Sequence, residues 1–137
     1  MRTIKFKGKD TSTGEWMYGD LVQFEEDDVK QTSIFTSELK GLTYSVRPNT
    51  VCQFTGLYDK NGCEIYEGDI IRSFDSQGEP IIHVIEYDNN DAKFIVVLAG
   101  YTKYDFGCGG ITKTWINLFK KEVIGNIHDN PELLKQK

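Results

Sequence analysis

Asp59, Asn61, Glu64, Glu67 and Asp69 crowd into one stretch, "TVCQFTGLYDKNGCEIYEGDIIR" (Thr50–Arg72), beside Gly56, Gly62 and Gly68. Oxygen donors at this density raise two kinds of chemistry, calcium binding and carboxylate acid–base catalysis. A calcium loop of the EF-hand type needs glycine at its sixth position and a bidentate glutamate at its twelfth. Counted from Asp59, Gly62 falls fourth and Ile70 twelfth, so the spacing fails. Acid–base catalysis needs two carboxyl groups converging on one pocket. Side chains alternate along a strand, so Glu64 and Glu67 are expected on opposite faces, with Asp69 beyond a break at Gly68. The same residue types make good turns. Asp and Asn bond their own backbone, and glycine supplies positive φ. The stretch is therefore expected to turn the chain and not to react.

The other reactive types are sparse. Cys52, Cys63 and Cys108 form no CxxC pair, and His83 and His128 lie far from them in sequence, so no zinc-ligand spacing is present. They read as free thiols of a reducing compartment. "GCGG" (Gly107–Gly110) lacks the lysine and following helix of a phosphate-binding loop. No serine sits in a GxSxG elbow. No catalytic, cofactor-binding or metal-binding residue is assigned, and the expectation is a protein that is not an enzyme.

The elements that position these residues read as strands. The chain has 137 residues, a length that fits one domain, with 39% hydrophobic and 12% aromatic residues. "TIKFKGK" alternates Ile4 and Phe6 with Lys5 and Lys7, so a core face and a solvated lysine face are expected. "DTSTG" turns it into "EWMYGDLVQF", and "EEDD" (Glu25–Asp28) reads as a solvated loop. "QTSIFTS" and "LTYSVRP" are short β-prone pieces; Pro48 holds Arg47 extended. "VCQFTGL", "CEIYE", "DIIRSF", "IIHVIEY", "AKFIVVL", "ITKTWINLF" and "EVIGNI" are expected strands, and Gly100–Gly110 a loose loop. Only "NPELLKQK" suits a short helix, with Asn130 as its cap and Pro131 first. "TGEWMYGDLVQF" (Thr13–Phe24) echoes "NGCEIYEGDIIRSF" (Asn61–Phe74), as two copies of one hairpin design would.

Partners follow from charge. Sixteen basic against twenty-one acidic residues leave a net charge of −5, which repels a phosphate backbone unless basic residues cluster. Lys5, Lys7, Lys9, Lys113, Lys120 and Lys121 are the residues whose clustering decides this, with Phe6, Trp16, Tyr18 and Phe119 as stacking candidates. The longest apolar run, Phe94–Ala99, is too short to span a membrane, and "MRTIKFKGKD" has no apolar core of a secretory signal.

Three blocks then carry a family likeness: "IKFKGKDTSTGEWMYGDLV", "RPNTVCQFTGLYDKNGCEIYEGDII" and "EVIGNIHDNPELL". With them the chain resembles the YopX family of phage and prophage proteins. Cys52 stands where that family usually has glycine. Segments 25–46 and 75–119 are placed by order alone. The resemblance implies an all-β protein, encoded by a phage or prophage and acting in the bacterial cytoplasm. It implies no catalytic residues; the motif residues are markers of the fold.

The expected architecture is a single all-β, YopX-like domain over residues 1–137. N-terminal hairpins (1–60) pack on a small SH3-like β-barrel (64–127), and a short helical turn (130–137) follows. The expected role is a non-catalytic accessory protein that binds another protein or itself. The alternative is a nucleic-acid-binding module. No cofactor or membrane association is expected.

Overall fold

The computed structural model describes residues 1–36, 41–105 and 109–135. Two compact units divide the chain, Met1–Phe54 and Thr55–Lys137. Both are built from antiparallel strands, so the all-β class holds.

In the first unit, β1 (Phe6–Lys9), β2 (Trp16–Glu26), β3 (Val29–Thr36), β4 (Leu42–Ser45) and the start of β5 (Cys52–Tyr58) make one sheet. Their order is β4-β3-β2-β1-β5. Asp10 makes the first turn, its carboxylate accepting the N–H groups of Ser12 at 2.8 Å and Thr13 at 3.0 Å. Leu21 stands opposite Ile34 in the β2–β3 register. Their shared face buries Met17 and Ile34 with Val46, and Phe6, Tyr44 and Val51 pack against them. Arg47 is extended before Pro48, as expected, and Pro48–Thr50 form a single 3₁₀ turn.

Two expectations change here. The run Glu25–Asp28 is not a loop. Glu25 and Glu26 continue β2, and only Asp27 and Asp28 turn, at φ 51° and 63°. Two such residues make the tight hairpin turn whose twist suits its strands. Nor is Lys7 of β1 solvated. Lys7 is 6% exposed, and its ammonium lies 4.5 Å from the centre of the Trp16 ring.

In the second unit, the rest of β5 carries β6 (Glu64–Tyr66). A four-stranded sheet follows, from β7 (Asp69–Phe74), β8 (Pro80–Asp88), β9 (Lys93–Leu98) and β10 (Glu122–Asn126), in the order β10-β7-β8-β9. Ile65, Ile71, Ile85, Val96 and Ile116 form its core.

This sheet is open, not the expected barrel. Closure would need β9 and β10 to pair, and other segments occupy their outer edges. On β9, Val96 N–H donates to Gly109 O at 3.1 Å and Ile111 N–H to Phe94 O at 3.0 Å. Beside β10, Lys60 N–H donates to Lys121 O at 3.2 Å. The segment "ITKTWINLF", expected as a strand, instead holds a short helix, α1 (Lys113–Asn117). The Thr112 hydroxyl caps it by accepting Trp115 N–H at 3.0 Å. Pro131–Lys135 is a 3₁₀ helix. The carboxamide oxygen of Asn130, expected to cap it, accepts Asn126 N–H at 3.3 Å.

Candidate functional site

The acidic residues of the opening stretch are placed by backbone donors. Asp59 is buried. Its Oδ1 accepts the N–H groups of Asn61 at 2.8 Å and Cys63 at 2.9 Å, and its Oδ2 accepts Val123 N–H at 2.9 Å. Asp69, also buried, accepts Tyr66 N–H at 2.8 Å. Glu64 accepts the Tyr66 hydroxyl at 3.1 Å. Gly62 sits at φ 82° and Gly68 at φ 87°, the left-handed region that suits glycine. Asp59 and Asp69 are thus engaged in holding turns. Among the described residues, no three His, Cys, Asp or Glu side chains gather as metal ligands. Cys52 is buried, its thiol donating to Thr50 O at 3.2 Å, and Cys63 is exposed; Cys108 lies outside the described residues.

The internal echo has a structural basis in its turns only. Asp10 N–H donates to Glu15 O at 2.8 Å, just as Asp59 N–H donates to Cys63 O at 2.8 Å. Beyond that the copies diverge. Gly68 separates β6 from β7, whereas Gly19 lies inside the unbroken β2.

A cluster not read from sequence surrounds Trp115. The His83 ring meets the indole edge-on, with centroids 5.3 Å apart. The Lys121 ammonium lies 4.7 Å from the indole centroid and donates to Leu118 O. Lys121 is 4% exposed, and burial lowers its pKa below the ordinary lysine range. Burial also lowers the His83 pKa, and the Lys121 charge lowers it further. His83 Nδ1 has no hydrogen-bond partner among the described residues. Phe119 and Lys120 hold φ of 58° and 51°, so the turn that returns Lys121 to the indole is locally strained. Only the Thr112 cap could have signalled the helix that carries Trp115.

The nucleic-acid candidates divide between the two units. Lys7 and Lys9 share one face of β1 and Lys5 just precedes the strand, but each ammonium rests on a ring: Lys5 on Phe54, Lys7 and Lys9 on Trp16. Of the others, Lys113 and Lys120 are exposed, and Lys121 is buried.

The clearest unsatisfied surface is the β2–β3 hairpin. β1 pairs with β2 only over Trp16–Gly19, and β4 with β3 only over Ser33–Thr36. Val46 N–H also donates to Thr32 O at 3.0 Å, and past these contacts the strands continue as a two-stranded arm toward Asp27 and Asp28. Val22 faces Ser33, Phe24 faces Gln31 and Glu26 faces Val29, so Val22, Phe24 and Val29 share one face. They are 36%, 48% and 55% exposed.

Fold and surface together define a class: an all-β protein of antiparallel hairpins with turn-forming acidic residues and an exposed apolar arm. The family model described as YopX protein matches residues 5–135. The chain belongs to the YopX family. A solved structure, protein EF1440 from Enterococcus faecalis, is similar to it at 24% identity and a TM-score of 0.56, covering 98% of this chain and 100% of that one. At that identity the likeness shows the fold alone. No curated protein matches the chain. Among the described residues, no helix is long and apolar enough to cross a membrane.

Proposed function

We propose that this YopX-family chain is a phage- or prophage-encoded accessory protein. It works in the bacterial cytoplasm by binding another protein and performs no reaction of its own. The observation that carries this reading is the arm: three large apolar side chains in a row on a two-stranded extension, each more than a third exposed. Apolar surface left in water favours association, and an isolated two-stranded ribbon has little other means of stabilisation. The roles of Asp59 and Asp69 support it too, because those carboxylates are committed to backbone donors.

A nucleic-acid reading draws on the lysines of β1. It is the weaker one, because ammonium groups cover the Trp16 and Phe54 rings on which bases would stack. The test is affinity purification of the tagged chain from infected or lysogenic cells, with and without nuclease. A protein that co-purifies in near-equal amount and survives nuclease is expected. Recovery of the chain alone, or of nucleic acid that nuclease removes along with every protein, would overturn the reading.

A further inference from the structure

We infer that the β2–β3 arm is the docking element, and that its occupant is a positively charged segment of a different protein. This rests on the protein-binding reading above and specifies its site. Between Asp20 and Thr36 the chain carries five carboxylates, Asp20, Glu25, Glu26, Asp27 and Asp28, against one cation, Lys30. Four of the five cluster at the end of the arm, around the stripe of Val22, Phe24 and Val29. An apolar strip within an acidic border recognises a segment with the converse pattern, apolar side chains flanked by lysine or arginine. The same charges argue against a second copy of this chain seated arm to arm. Two acidic arms would repel, and the whole chain carries a net charge of −5. The geometry suits reach as well. Among the described residues, neither Asp20–Glu26 of β2 nor Val29–Gln31 of β3 has a third strand beside it, so the partner approaches a ribbon open on both edges.

The test uses photo-crosslinking in cells. The amino acid p-benzoylphenylalanine replaces Phe24 in one chain and, as a control, the exposed Leu118 in another. The crosslinked peptide is then identified by mass spectrometry. The expected result is an adduct from position 24 to a segment of another protein with net positive charge. Its yield is expected to fall about tenfold when the end of the arm is neutralised. Two neutral variants are compared. Asp27→Asn with Asp28→Asn keeps a residue type that tolerates left-handed φ. Glu25→Gln with Glu26→Gln leaves the turn untouched. An adduct only to a second copy, an adduct to an acidic or neutral segment, or a yield unchanged by both variants would overturn the inference. An adduct from position 118 alone would overturn it while leaving the protein-binding reading in place. No adduct from either position would overturn both.

Discussion

Asp59 Oδ2 accepts the backbone N–H of Val123 at 2.9 Å, across 64 positions of sequence. The other carboxylate oxygen holds the β5–β6 turn through Asn61 and Cys63. One buried side chain therefore closes a hairpin and anchors the strand β10. A residue read from the sequence as a turn former is also the joint of the second unit.

Removing that joint leaves three backbone donors without their acceptor. Asp59→Ala is expected to destabilise the protein by about 3 kcal/mol, since each buried unpaired donor costs on the order of 1–3 kcal/mol and part of the loss is recovered by water. The measurement is urea unfolding followed by circular dichroism. A midpoint equal to that of the unaltered protein would contradict the role given to Asp59.

Two glycines should respond differently to an added side chain. At Gly62, φ is 82° and nothing lies within 4 Å of an added Cβ, so only backbone strain opposes a side chain. Gly62→Val is expected to cost about 1–3 kcal/mol, and Gly62→Asn much less, because Asn tolerates the left-handed region. At Gly19 an added Cβ would lie 2.0 Å from Phe35 O. Gly19→Ala is expected to cost more than about 3 kcal/mol, and Asn to give no relief, because the obstacle is backbone. Thermal melts of the four variants decide it; equal losses at both sites would be inconsistent with this account.

These residues also mark what was legible in the sequence. The turns at Asp10, Asp59 and Asp75 could be read because Asp followed by Gly announces its own geometry. The β8–β9 pair could be read because long β-prone runs flank a polar turn. The helix α1 could not. Its five residues are too few for a helical period, and Thr114, Trp115 and Ile116 favour strands. The barrel failed for another reason. Local pattern gives strands, but closure depends on which edges remain free, and turns and loops far away in sequence settled that. Alternation alone assigns Lys7 to solvent, and it is buried instead. The register that sets Lys9 opposite Trp16 and Lys7 opposite Tyr18 brings the amines over an aromatic face. The arm was hidden inside a run of acidic residues that resembled a loop.

His83 gives a pH dependence with a defined sign. Its folded pKa lies below the ordinary value of 6.5, because burial and then the Lys121 charge disfavour the imidazolium. Above 6.5 both folded and unfolded forms are neutral, so His83 has no effect there. As pH falls below 6.5 the unfolded form takes up the proton first, and stability drops until pH passes the folded pKa. The urea midpoint is therefore expected to fall below about pH 6.5. His83→Gln is expected to flatten that part of the profile. Identical slopes in both proteins between neutral pH and the folded pKa would show that His83 does not couple to folding.

Nucleic acid is expected to bind poorly. With a net charge of −5 and the β1 lysines seated on rings, duplex affinity is expected to be weaker than about 10 µM near physiological salt. Fluorescence anisotropy with duplex and single-stranded oligonucleotides across a salt series measures it. Sub-micromolar binding with a steep salt slope, lost when Lys5 and Lys9 are changed to Glu, would favour the nucleic-acid reading.

The proposed function makes this YopX-family chain one member of a protein complex. Its most direct test is the size at which the chain travels in extracts of the cells that express it from its own gene. Extract is sedimented through a density gradient after nuclease treatment, beside the purified chain. A nuclease-resistant species larger than the purified chain is expected, and it returns to the free position when Phe24 is changed to Lys. Co-migration with the purified chain, or a larger species that nuclease abolishes, would contradict it.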